Sequence, residues 1–492
     1  MESLKVSGVK VIAGAAAAVL LLASAEMTQA GTRLSPGQTG AAVSDGVGRP
    51  ASVRTDTIEA ALVRAYQSNP QLNAQRAQVR VTDENVPQAL SGYRPKVALT
   101  ASGGYQYTDE VTTTPGLGAT KLTGAQIPRS AGVTVTQSLY DGQQTANKTR
   151  AAEGQVSGAR EALRVLEQTV LLSAATIYMD FLRDADIVEV QKNNTRVLEQ
   201  TLDQTRERFK VGEVTRTDVA QSEAQLAAGK TQQLTAESNL VTTRSNFRRI
   251  IGNEPQNLAP GSPVDRFLPK TLASAIDLGL TENPNVTAAM FGIDVSFLQV
   301  KVNEGALLPV VSLQVSAQEA YDQQLGTPRT FNTSAIAQVS VPLYQGGAEY
   351  SMIRQSKENL AQQHLTLDQT RDQTRANIVA AWGQLEASKA QVGSAEAQVA
   401  ASETALNGVR DEAKAGQRTT LDVLNAVQAL VNARVALVTA EHDRVVASYS
   451  VLNTVGRLSP QVLKLDTNIY DPSVHYHQVR DSLFGVRTPD GR

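Results

Sequence analysis

From Arg129 to Glu254, and again from Leu343 to Ser459, the sequence contains no proline. A proline inside a helix removes a hydrogen bond and clashes with the preceding turn, at about 3 kcal/mol, so two such runs permit unbroken helices of unusual length. The two runs are copies of one unit. "RFKVGEVTRTDVAQ" (Arg208–Gln221) returns as "DEAKAGQRTTLDVLN" (Asp411–Asn425), matching Gly212 to Gly416, Thr215 to Thr419, Asp218 to Asp422 and Val219 to Val423. Upstream, "TIEAALVRAYQSNPQL" from Thr57 aligns with "TLASAIDLGLTENPNV" from Thr271, and "YRPKVAL" around Pro95 with "LLPVVSL" around Pro309. "LYDGQ" at Leu139 aligns with "LYQGG" at Leu343, after a shift that marks a ten-residue loop difference between the copies. Asn69-Pro70 and Asn283-Pro284 each set an N-cap residue before proline at the first helical position.

These landmarks divide the chain into a repeat over 57–256, a second over 257–456 and a tail over 457–492. The pattern predicts long helices over 143–208 and 347–412, each about 99 Å at 1.5 Å per residue. A turn and a shorter helix over 218–251 follow in the first copy, and a helix over 70–93 precedes its strands. The tips of the two hairpins fall at 209–217 and 413–421. Thr215-x-x-Asp218 and Thr419-x-x-Asp422 fit capping boxes at the start of the return helices. The helices are rich in Ala, Gln, Ser and Thr rather than in a Leu/Ile stripe, which suits a thin wall with water on both sides; a solvated coiled-coil rod shares that composition.

Between the helices the period changes to two. Val97, Leu99, Ala101, Tyr105 and Tyr107 share one face, as do Ala131, Val133, Val135 and Leu139. The second copy offers Val311, Leu313, Val315 and Ala317, then Ala335, Ala337, Val339, Val341 and Leu343. Four alternating segments, near 96–108, 131–140, 310–321 and 334–344, with tyrosines at their ends, are the pattern of outer-membrane barrel strands. Four strands cannot close a barrel, and lipid tolerates no open edge, so copies must associate. Two copies give eight strands and a filled interior; three give twelve and room for a lumen.

The N-terminus fits export. Lys5 and Lys10 precede an apolar core from Val11 to Ala23, with small residues allowing cleavage after Ala25 or Ala30, and 31–56 is a Gly-rich leader. That core is shorter than a membrane-spanning helix requires, and no later segment is expected to span. A net charge of −2 offers no footprint for nucleic acid. With no cysteine there is no disulfide, no thiolate metal site, no cysteine nucleophile and no cysteine for an N-terminal lipid. His364, His442, His475 and His477 are scattered, and "HYH" near the end reads as surface residues of the tail. No phosphate loop, nucleophile elbow or triad stands out, so neither an enzyme nor a cofactor is expected.

On the duplication, the paired Asn-Pro entries, the "LYDG"/"LYQGG" joins, and "LDQTRERFKVGEVTRTDV" with "AKAGQRTTLDVLNA", the chain resembles the TolC family of trimeric outer-membrane exit ducts. The resemblance covers about 57–456. It implies a mainly α fold with a membrane β-barrel portion: a homotrimer with four strands per chain in a 12-stranded barrel, on a periplasmic α-barrel tunnel of helical hairpins. It places the protein in the outer membrane of a Gram-negative bacterium, among its lipids. Drugs, small molecules or secreted proteins would pass through it, when a periplasmic adaptor and an inner-membrane pump (RND, ABC or MFS type) dock at the tunnel end. By the same resemblance Val211, Gly212, Glu213, Ala415, Gly416 and Gln417 would meet the adaptor. Thr217 and Asp218 would pair with Arg418 to close the periplasmic gate, and Asp422 would form an acidic ring in the lumen. The family's second lumen acid falls on Asn425 and its tyrosine latch on Ala413, which implies a weaker filter and a thinner latch. A trimeric surface adhesin is the alternative, though its strands would sit together at the C-terminus; a nutrient porin would be mostly strand.

Overall fold

The structure, a computed structural model, describes residues 56–489 apart from Leu117. The export segment and nearly all of the leader lie outside the described residues. The first repeat opens with two short helices: α1 (Ile58–Ser68), capped by Thr57, and α2 (Pro70–Asp83), where the Asn69 side chain accepts from the N–H groups of Gln71 and Leu72. A continuous helix over 70–93 is not formed. The chain breaks at Glu84, restarts as α3 (Asn85–Leu90) and ends in a 3₁₀ turn over Ser91–Tyr93. Pro87 explains the break: its ring would collide with the carbonyl four residues back, that of Asp83.

β1 (Lys96–Gly103) then runs antiparallel to β4 (Arg129–Tyr140). Between them lies a hairpin absent from the sequence reading, β2 (Gln106–Thr114) and β3 (Gly118–Gln126), which forms its own two-stranded sheet. β1 therefore stops at Gly103 and does not reach residue 108. This hairpin contains the ten-residue difference between the copies. It leans on Leu325, whose Cδ2 would lie 2.6 Å from a Cβ on Gly124.

α4 (Gln144–Lys210) spans 67 residues, about 100 Å. It turns into α5 (Arg216–Ile251), which ends at Gly252 in the left-handed conformation. The second repeat follows with α6 (Leu272–Glu282), α7 (Pro284–Gly305), β5 (Val310–Gln324), β6 (Thr327–Ser340), α8 (Ala348–Lys414) and α9 (Thr420–Val455). α7 is unbroken because Lys301 stands where the first copy has Pro87. β6 begins earlier and ends earlier than 334–344, joining β5 through a tight turn at Gly326.

The strands form one antiparallel sheet in the order β1-β4-β5-β6, so the two repeats meet at β4–β5, in register at Val133 and Ala317. Its outer edges, β1 and β6, have no partner in a single chain. The main core lies partway down the helices, where Leu163, Val170, Leu171 and Tyr178 of α4 meet Leu62 and Tyr66 of α1, Phe247 of α5 and Tyr449 of α9. Windows within α4 and α9 are apolar enough by composition to cross a bilayer, contrary to the expectation that no later segment would be. Val170–Met179 and Val445–Val455 supply residues to buried clusters, so that composition reports a packed core.

The tail is folded against the first repeat. Leu458, Leu463 and Leu465 join the main core, and the Arg76 guanidinium stacks between the rings of Tyr66 and Tyr470, 4.5 and 5.1 Å from their centroids. α10 (Ser473–Val479) packs on α2, with His475 Nδ1 3.0 Å from Asp83 Oδ2. The sequence reading put His475 on the surface; both partners are in fact buried. Burial raises the Asp83 pKa, and His475, with smaller pulls from Arg160 and Arg80, works against that rise.

Candidate functional site

The two hairpin tips have the same backbone. At the end of α4 Gly212 adopts φ +82°, its N–H donates to the carbonyl of Phe209 at 3.0 Å, and that of Glu213 donates to Arg208 at 2.9 Å. Gly416 repeats this with φ +75°, donating to Ala413 at 3.2 Å, while Gln417 donates to Glu412 at 2.9 Å. This is the Schellman arrangement, in which a left-handed residue lets two backbone N–H groups fold back onto the last carbonyls. No atom lies within 4 Å of a Cβ at either glycine, so both turns project into open space.

The return helices start on full capping boxes. Thr215 Oγ1 accepts from the N–H of Asp218, and Asp218 Oδ2 accepts from Thr215 N–H and Oγ1–H at 2.8 and 2.7 Å. Thr419 and Asp422 do the same at 2.9 and 2.8 Å. The Thr215 hydroxyl, then its N–H, hold the Asp218 carboxyl below the usual range, with a smaller pull from Arg208. For Asp422 the Thr419 N–H comes first and the hydroxyl second, with Arg418 adding a little. Both acids are therefore charged at neutral pH.

The charged straps across the two turns have opposite polarity. In the first, Arg208 at the helix end donates from Nε to Glu213 Oε2 at 3.0 Å. In the second, the helix-end position is Glu412, and Arg418 beyond the turn donates to its Oε2 at 2.8 Å. Glu412, and to a lesser extent Asp422, hold the Arg418 guanidinium charged. Within one chain Arg418 is thus bound to Glu412, a residue that the sequence reading did not single out. Asp218 sits with Thr215 and near Arg208, while Thr217 and Asn425 are exposed. A groove of about 640 Å³ separates the tips, lined among others by Arg208, Glu213, Arg410, Ala413 and Lys414.

A second cluster braces the hairpins higher up. His442 on α9 is buried, with Nε2 3.0 Å from Asp180 Oδ1 on α4 and Nδ1 2.9 Å from Asp443 Oδ1. Burial opposes its charge, but the carboxylates of Asp180 and Asp443 outweigh that and raise its pKa above the ordinary 6.5. A raised pKa in the folded state stabilises the protein below the unfolded-state value, and that contribution is lost as pH climbs through the folded one. Thermal stability should therefore fall as pH rises above the ordinary histidine value of 6.5, and His442→Gln should flatten that slope, read by circular dichroism at each pH. Among the described residues no cluster of histidine and acidic side chains is arranged to hold a metal ion.

A duplicated fold of paired long hairpins and paired strands, with two exposed tips, is the architecture of a duct component. The sequence model of the family described as outer membrane efflux protein matches residues 61–253 and 275–457, one block per repeat. The chain belongs to this family. It is 40% identical to the outer membrane efflux protein BepC of Brucella suis over 440 residues, 89% of this chain and 93% of that one. It is 24% identical to the outer membrane protein TolC of Escherichia coli over 424 residues, 82% of this chain and 83% of that one. Its fold matches the CmeC outer membrane channel of Campylobacter jejuni with a TM-score of 0.72 at 15% identity, covering 92% and 98% of the two chains. The adhesin alternative is set aside: the family match spans both repeats, and the strands lie between helices in each.

Proposed function

We propose that three copies of this chain form a passive exit duct across the outer membrane, with the tunnel of hairpins reaching into the periplasm. The observation that carries the reading is the four-stranded sheet with two unpaired edges, β1 and β6, in an outer-membrane family. Joining the β6 edge of one copy to the β1 edge of the next satisfies every edge, and twelve strands are the smallest closed set that leaves a lumen. A passive duct is driven from outside, here by an inner-membrane pump reached through a periplasmic adaptor at the tips around Val211, Gly212 and Glu213 and around Ala415, Gly416 and Gln417. Efflux of small molecules and type I secretion of proteins both fit such a duct, because a water-lined tunnel imposes little chemistry on its cargo. The acidic ring formed by Asp422 favours cations.

The test is conductance of the purified protein in a planar bilayer, with its mass measured in the same detergent. A trimer giving small, cation-preferring openings supports the reading. A folded trimer without conductance, or a monomer that inserts alone, removes it.

A further inference from the structure

The last described residues of the tail do not lie against the helices. α10 is tied down by His475 to Asp83, by the buried side chain of Val479, and by Arg480 Nη2 3.3 Å from Glu153 Oε1. Immediately beyond, the carbonyl of Ser482 accepts from Arg94 Nη1 at 2.7 Å. Arg94 stands two residues before β1 begins at Lys96, so this bond carries the tail from the helical wall to the foot of the sheet. There the character of the chain changes. Leu483 and Phe484 are 59% and 69% exposed, Val486 is fully exposed, and Arg487 follows. Tyr93 and Tyr140, both exposed, mark the same level at the lower ends of β1 and β4.

We infer that residues 483–487 form an interfacial lipid contact, in which Leu483, Phe484 and Val486 enter the periplasmic leaflet of the outer membrane beside the first barrel strand and Arg487 meets lipid phosphate. Apolar side chains backed by a cation, held at the edge of a bilayer, bind in this way, and exposed tyrosines at the same height are the usual companions of a headgroup region. The segment is held in place by a structured strap, so little ordering cost remains when it meets the membrane. Leu483, Phe484 and Val486 are exposed in the chain, as are Val97 and Leu99 of the adjoining strand, which the barrel reading turns toward lipid. The inference rests on the reading of the sheet as part of a membrane barrel.

The lack of cysteine makes the test direct. Val486→Cys is given a nitroxide label in the full-length protein, reconstituted in nanodiscs of phosphatidylethanolamine and phosphatidylglycerol, and its collisions with oxygen and with a water-soluble nickel chelate are compared. Leu99→Cys on β1 is the control for the barrel. Oxygen should dominate at both positions. Adding Leu483→Glu and Phe484→Glu should reverse the ratio at 486 and leave that at 99 unchanged. Chelate access at 486 with lipid contact at 99 means a solvated tail, and protection from both reagents means packing on a neighbouring chain; either overturns the inference while the barrel stands. Chelate access at 99 as well removes the barrel reading and the inference with it.

Discussion

Gly142→Ala should leave almost no folded protein. Gly142 sits between β4 and α4 with φ +68°, where an L side chain costs about 1–2 kcal/mol before any contact is counted. The larger problem is space. A Cβ there would overlap the carbonyl oxygen of Gly305 at the end of α7 and come within 3.0 Å of Leu308 Cβ. A Cβ on Gly305 would in turn lie 2.5 Å from the Gly142 carbonyl. Two backbones touch here, and neither can rotate away as a side chain would. The matching join of the second repeat provides the control: Gly346 has φ +70° but nothing within 4 Å of its Cβ in a single chain. Gly346→Ala should therefore cost the chain only the conformational term. The yield and melting temperature of folded protein, measured side by side, check this; equal losses at the two positions would show that the φ angle, not the contact, decides.

The second large effect concerns the gate. Arg418→Ala should raise single-channel conductance several-fold, and Glu412→Gln should lower the fraction of time the channel is open. Arg418 is proposed to hold the tips shut through Thr217 and Asp218, yet in a single chain it is bound to Glu412. One oxygen of Asp218 is already taken by Thr215, so only the other is free to receive a guanidinium. Glu412 then competes with closure by keeping Arg418 on its own tip. Exposed ion pairs are individually weak and screened by salt, which makes such an exchange reversible and sensitive to ionic strength. By the resemblance, Ala413 and Asn425 would stand at the positions of the family's latch and second acid, leaving the proposed gate little else to oppose opening. If Glu412→Gln opens the channel instead, Glu412 belongs to the closed state and the competition is wrong. If Arg418→Ala has no effect, closure does not depend on this arginine.

Some of this was readable from residue types and spacing. Asn-Pro pairs, proline-free runs and Gly-x-x-Thr-x-x-Asp turns are local signals, and the helix caps and tips occupy the positions these gave. The misses have physical causes. β2 and β3 are Thr- and Gly-rich on both faces, so no apolar alternation announces them. Pro87 is legible as a helix breaker, and a single helix over 70–93 is incompatible with it. The bond between Asp83 and His475 joins residues almost four hundred positions apart. Which charge faces Arg418 depends on how the turn folds rather than on spacing alone.

The reversed polarity of the two tip straps has a consequence for docking geometry. In a ring of three chains the tips alternate around the axis, one kind with the cation on its helix end and the next with the anion there. Rotating a docked ring of adaptors by one tip would set every charge against its opposite number, whereas rotating by two restores the match. In the proposed trimer the duplication would therefore build an angular index into a surface whose backbone looks sixfold, allowing three equivalent seatings instead of six.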